Sequence, residues 1–117
     1  MSFMFEKLEV YNKAIDFAFE ISKLTKTFPR GNYYLADQLN RASLSISTNI
    51  AEGNGRWSKK DRKQFFYIAR GSLHECIPIL EICNRNKLIS DEKHNKLKQE
   101  LERIAKMLSG LINGLEK

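Results

Sequence analysis

A chain of 117 residues, 42% hydrophobic and 29% charged, can bury one core and is too short for two ordinary domains. Its net charge of +6 favours anionic partners, nucleic acid first and a membrane surface second. Glu6, Lys7 and Glu9 interrupt any signal peptide, and the uncharged run Ala42 to Ala51 is too short and too rich in Ser to cross a bilayer. A soluble cytoplasmic protein without membrane contact is expected.

Taken in order, the chain reads as four helices. From about Glu6 to Phe28, apolar side chains at Leu8, Tyr11, Ala14, Ile15, Ala18, Ile21, Leu24 and Phe28 follow helical spacing, with Glu9, Lys13, Asp16, Glu20 and Lys23 opposite. Pro29 and Gly31 stop this helix, and Asn32 is placed to cap the next. The second helix buries Leu35, Leu39, Ala42, Ile46 and Ile50, and Gly53 and Gly55 are expected to supply the permissive φ angles of its exit. Ser58, with Asp61 three residues on, has the spacing of a capping box and starts the third helix. Its inner arc is Phe65, Phe66, Ala69, Leu73, Cys76, Leu80 and Cys83. Pro78 falls on the outer side, where it should kink the helix towards solvent.

Ser90 caps the fourth helix, whose Leu97, Leu101, Ile104, Leu108, Leu111 and Leu115 form a coiled-coil-like seam. No stretch alternates with the period of a strand. The expected fold is therefore all-α, an antiparallel up-down-up-down four-helix bundle. It forms a single domain over residues 1–117, with helices at about 6–28, 33–53, 59–86 and 91–113.

Catalytic and metal chemistry find little support. Cys76 and Cys83 lie two turns apart on one helix, about 10.5 Å at 1.5 Å per residue. A disulfide bridges at most about 7 Å, so both are expected as buried thiols in a reducing compartment. There is no Glu-x-x-His for a di-iron bundle and no Cys-x-x-Cys for zinc. His74 and His94 are expected to be solvated. Gly53-x-Gly55 follows no strand and continues no phosphate fingerprint. No catalytic residue, metal or cofactor is assigned, and the chain is expected not to be an enzyme.

Three groups of residues remain as candidates. Gln38, Ser45, Asn49 and Glu52 on helix two and Ser72 and Glu75 on helix three would form a polar network between the helices if those edges meet. Arg56, Lys59, Lys60, Arg62 and Lys63 surround the start of helix three with a surplus of four positive charges over Asp61, and Arg70 continues the outer face beside Tyr67. These six cations are the candidate nucleic-acid contacts, against the alternative of a solvated charged face. Tyr67 and Ile68 cannot share the core with Phe65 and Phe66, and Ile82 and Leu44 also project outward. This surplus apolar surface is expected to bury against another subunit.

With these residues in view, the chain resembles the four-helix-bundle family named for proteins encoded in intervening sequences of bacterial 23S ribosomal RNA genes. The resemblance rests on Phe5-Glu6-Lys7-Leu8, Thr25 through Phe28-Pro29, Tyr34-x-x-x-x-Gln38 and Ser45-Ile46-x-x-Asn49-Ile50-Ala51-Glu52-Gly53. It continues through Ser58-Lys59-Lys60-Asp61 and Ile68-Ala69-Arg70-Gly71-Ser72-Leu73-x-Glu75. Helix four matches only in pattern, and Pro78 is unusual against it. The resemblance implies a ring-like homo-oligomer, typically a pentamer, without known enzymatic activity and with an RNA association suggested by gene location. A more distant similarity is to the accessory variability proteins of diversity-generating retroelements, basic pentameric bundles that engage a reverse transcriptase and nucleic acid. Two functions are carried forward: a non-catalytic homo-oligomer that binds RNA or DNA phosphates through its basic corner, and a structural or adaptor oligomer whose partner is another protein.

Overall fold

The computed structural model describes residues 2–116. A 3₁₀ turn at Met4–Lys7 precedes α1 (Glu9–Thr25), and a second at Arg30–Asn32 leads into α2 (Tyr33–Asn54). Then come α3 (Lys59–Arg85) and α4 (Asp91–Leu115), with no strand among the described residues. Two starts are fixed as their sequence dictates. Ser58 Oγ accepts from the Asp61 amide at 3.1 Å, and Ser90 Oγ accepts from the Lys93 amide at 3.0 Å. Asn32 makes no side-chain cap bond, and the 3₁₀ turn feeds α2 in its place.

Contacts across the helices show that neighbours run in opposite directions. Gly53 lies against Phe66, Ser45 bonds Ser72, and Arg41 pairs with Glu75, so residue numbers rise on α2 as they fall on α3. Thr25 reaches Asn40, Asn84 reaches Asp91, Tyr67 reaches Glu116, and Glu20 meets Lys93 and Lys96. Each helix therefore packs on its chain neighbour, and α1 closes the square against α4. Connections this short have no reach to return along a helix, so the up-down-up-down order follows from their length.

The core is continuous through all four helices. Leu39, Ile46 and Ile50 of α2, Leu73, Cys76 and Leu80 of α3, and Leu97, Leu101, Ile104 and Leu108 of α4 are buried, as their spacing requires. The α4 seam departs from the heptad at its end: Ile112 is buried while Leu111 and Leu115 are half-buried. A straight helix of 3.6 residues per turn drifts from a 3.5 repeat, which brings the neighbouring position inward by the end of the seam. Phe65 is likewise half-buried and Phe66 takes the core position.

The buried stripe of α1 differs from expectation. Val10, Ala14, Phe17 and Ile21 face the core, whereas Ile15 is exposed and Leu8, Tyr11, Ala18 and Leu24 are only half-buried. Apolar residues cover more than one side of this helix, and the bulkier Phe17 wins the interior. The helix also stops at Thr25, and Phe28 reaches the core from the turn that follows. Pro78 lies exposed within an uninterrupted α3.

The expected role of the corner glycines is corrected. No glycine in the described chain has positive φ, and Gly55 keeps a right-handed φ of −81°. Gly53 is needed instead for close approach, because a Cβ there would stand 2.8 Å from Phe66 Cε1 and 3.0 Å from Phe65 Cβ. The residue that does adopt the left-handed region is Lys87, with φ 60°, at the end of α3. The Leu88 amide donates back to the Cys83 carbonyl at 2.9 Å across it, closing the helix as a glycine usually would.

Candidate nucleic-acid interface

The α2–α3 corner gathers the cations, and the structure sorts them. Arg56 forms an i,i+4 ion pair with Glu52 at 3.1 Å and lies over the Phe65 ring, 4.6 Å from its centroid. Arg62 Nε donates to the Arg56 carbonyl at 2.8 Å, which locks the turn. These two arginines build the corner. Lys63 approaches Glu116 at 3.9 Å, and Arg70 lies 5.0 Å from the centroid of Tyr67. Lys59 and Lys60 are exposed and have no carboxylate partner among the described residues. They are the corner's available charges, at a helix start whose free amides add to the positive potential.

Trp57 stands beside them with 99% of its surface exposed. The sequence held a signal for this. Trp57 directly precedes the N-cap Ser58, where an apolar side chain usually packs on the fourth helical residue; that residue is Arg62, so no apolar partner is offered. One turn further along α3, Lys60, Lys63, Gln64, Tyr67 and Ile68 line an open groove of about 460 Å³. Lysines rim it, and an aromatic ring and an Ile form its apolar wall.

The polar network is partly assembled. Ser45 Oγ and Ser72 Oγ are 2.8 Å apart, and Asn49 Nδ2 donates to the Ser45 carbonyl at 2.8 Å and to its hydroxyl at 3.0 Å. Arg41 bridges Gln38 and Glu75, a role the sequence did not reveal. Glu52 is not joined to this set, being held by Arg56. The four proposed interface residues Leu44, Tyr67, Ile68 and Ile82 are all exposed, by 55%, 42%, 45% and 43%. Ile77 adds to the apolar surface of α3.

A second charged cluster lies in the α1–α4 seam. Lys93 and Lys96 both engage Glu20, and Glu100 lines the same cleft as Glu20. Burial, then the hydrogen bond and the charge of Glu20, push Glu100 up to about 7. Burial also pushes Glu20 up, but the Lys93 ammonium and the Glu100 partner outweigh it and hold its carboxyl below the ordinary range. Two carboxyls this close resist ionising together, so the second ionises at higher pH than an isolated one would. Lys13, Asp16 and Arg103 line the same cleft. His94 is half-buried, not solvated as expected, and its Nε2 has no partner among the described residues.

The Glu100 contribution has a definite sign. Between the ordinary 4.5 and about 7 the folded chain holds a proton that the unfolded chain has released, so this stability is lost as pH rises through that window. Glu20 contributes oppositely, its share being lost only as pH falls below 4.5 towards its depressed value. Glu100→Gln, which stays neutral beside the Glu20 carboxylate, should stabilise the protein by about 1 kcal/mol at pH 8 after allowance for solvent screening. The melting temperature should rise by roughly 4 °C at pH 8 and not at pH 4.5. Equal melting shifts at both values would show that ionisation of Glu100 does not cost the fold stability.

No group of three or more His, Cys, Asp or Glu close enough to hold a metal occurs among the described residues, and no helix is long and apolar enough to cross a membrane. Fold and surface together define a basic, antiparallel four-helix bundle with a lysine-rich corner. The chain belongs to the family of 23S rRNA-intervening sequence proteins, which it matches over residues 6–110. It is similar to the crystal structure of a protein of unknown function from the S23 ribosomal protein family of Bacteroides thetaiotaomicron. The TM-score is 0.83 and the identity 27%, covering 88% of this chain and 97% of that one. No curated protein matches the chain.

Proposed function

We propose that this protein is a non-catalytic, homo-oligomeric bundle of the cytoplasm that binds RNA or DNA phosphates through its α2–α3 corner. The observation that carries this reading is the pair Lys59 and Lys60. They stand exposed beside Trp57 with no ion-pair partner among the described residues. Arg56 and Arg62 hold the corner's shape, while Lys59, Lys60, Lys63 and Arg70 meet the anion. A positively charged surface with an exposed aromatic is what sequence-tolerant nucleic-acid binding requires.

Assembly follows from the apolar side chains left exposed on α2 and α3, chiefly Leu44, Ile68 and Ile82. Each copy brings one corner, so several weak phosphate contacts act together. Light scattering at micromolar concentration tests this, and a lone protomer would remove the multivalent part of the reading. The adaptor alternative needs the same apolar faces but gives the lysines no role.

The deciding experiment is binding of a labelled RNA across a salt series. Three lysine–phosphate contacts give a logarithmic salt slope of about −2 on a single strand, so affinity should fall by roughly 20-fold between about 50 and 200 mM salt. Lys59→Glu, Lys60→Glu and Lys63→Glu together should reduce binding at least ten-fold while leaving the melting temperature close to wild type, since these are surface positions. Binding indifferent to salt and to the triple reversal would defeat the proposal and favour a protein partner.

A further inference from the structure

The groove on α3 carries the reading one step further. Its apolar wall is Tyr67 and Ile68, its rim is Lys60 and Lys63, and Gln64 offers both a donor and an acceptor. A duplex buries its base faces in its own stack and presents phosphates to a protein. It would use the rim and waste the wall. An unpaired nucleotide uses both, laying its base on the aromatic ring and its phosphate between the lysines.

A carboxylate already touches two of the residues that line the groove. Glu116, from the C-terminal end of α4, places Oε1 where the Tyr67 hydroxyl donates to it at 3.2 Å, with Lys63 Nζ 3.9 Å from the same oxygen. A hydroxyl and an ammonium converging on one carboxylate oxygen, 49 residues away in sequence, make a seat that a phosphate oxygen can take over. Arg70 lies over one face of the Tyr67 ring, 5.0 Å from its centroid, and adds positive charge beside the groove.

We infer that the Lys60–Lys63–Gln64–Tyr67–Ile68 groove binds one unpaired nucleotide of single-stranded nucleic acid, and that the Glu116 carboxylate occupies its phosphate seat in the free protein. This inference rests on the phosphate-binding reading of the corner. It sets Tyr67 apart from the interface residues: its ring belongs to the ligand, and the copy-to-copy contact is left to Leu44, Ile82 and the outer edge of Ile68.

Fluorescence anisotropy with a labelled oligouridine of about 12 nucleotides and with a duplex of equal length tests the assignment. The oligouridine should bind roughly ten-fold more tightly than the duplex, and Tyr67→Ala should remove most of that preference. Tyr67→Phe, which keeps the ring and loses the hydroxyl, should fall between the two. Glu116→Gln, which vacates the charge from the seat, should tighten binding about two- to three-fold. Wild type that binds both probes equally, with Tyr67→Ala without effect, would overturn the inference while leaving the corner reading intact. No salt-sensitive binding of either probe would overturn both. A change of oligomer size on Tyr67→Ala, with the affinity per subunit preserved, would assign the groove to a second copy and so overturn it as well.

Discussion

Gly53→Ala should destabilise the protein, whereas Gly110→Ala should stabilise it. Both glycines lie inside helices, where alanine is favoured by about 1 kcal/mol through backbone entropy alone. Around Gly110 a new Cβ meets nothing within 4 Å, so that gain should appear almost in full. At Gly53 the same methyl would sit 2.8 Å from Phe66 Cε1 and 3.0 Å from both Phe66 Cδ1 and Phe65 Cβ. The last contact is decisive. A ring can rotate, but a Cβ moves only with its helix, and Phe66 is itself buried at 3% exposure. Overpacking of this kind costs about 1–3 kcal/mol, which exceeds the propensity gain. The net loss should be about 0–2 kcal/mol, so the two glycines should differ by roughly 1–3 kcal/mol in denaturant unfolding. Phe66→Leu in the Gly53→Ala background should recover part of the loss, because the pair share one contact. Similar shifts for the two alanine variants would show that the corner has room and that the helices are not held at this distance by Gly53. The consequence extends to binding, since Arg56 stacks on Phe65 and Lys59 and Lys60 begin the helix that would have to move.

What could be read in the sequence depended on how many faces of a helix were apolar. Helices α2, α3 and α4 each carry one dominant stripe, and Leu35, Leu73 and Leu101 are buried where their period places them. Helix α1 offers Val10, Tyr11, Ile15, Phe17 and Phe19 on different sides, so periodicity alone did not choose among them; packing against α2 and α4 did. The family was legible because short motifs spread from Phe5 to Glu75 follow its pattern. The site was legible as composition and not as arrangement. Sequence shows five cations near one helix start, but only the fold shows that Glu52 and Glu116 each engage one of them, leaving Lys59 and Lys60 without a carboxylate partner among the described residues. The Arg41–Glu75 pair, the meeting of Glu20 and Glu100 in one cleft, and the Glu116 bond to Tyr67 all join residues far apart in the chain. No local pattern encodes such pairs. The role of Gly53 was hidden for the same reason: a missing side chain is explained by what occupies its place, and that is Phe66.

The two thiols should be nearly inert in the folded protein. Cys76 and Cys83 are fully buried, free, and on the inner face of α3. Burial, with the neighbouring Glu75 charge adding to it, pushes the Cys76 thiol up to about 12, and burial pushes Cys83 up to about 11. Only the thiolate attacks an alkylating or disulfide reagent. From an ordinary 9.0, these shifts cut the thiolate at pH 8 by roughly a thousand-fold for Cys76 and a hundred-fold for Cys83. Modification by a disulfide reagent at pH 8 should therefore run at least about 100-fold slower than in guanidinium. Single variants separate the routes. If local opening near the α3–α4 corner admits the reagent, Cys76→Ala, which leaves Cys83, should react faster than Cys83→Ala. If only global unfolding admits it, the two variants should react equally, at a rate set by stability and raised by low denaturant. Labelling of either thiol in the native protein at the free-thiol rate would contradict a sealed core, and with it the rigid α2–α3 pairing that presents the lysines.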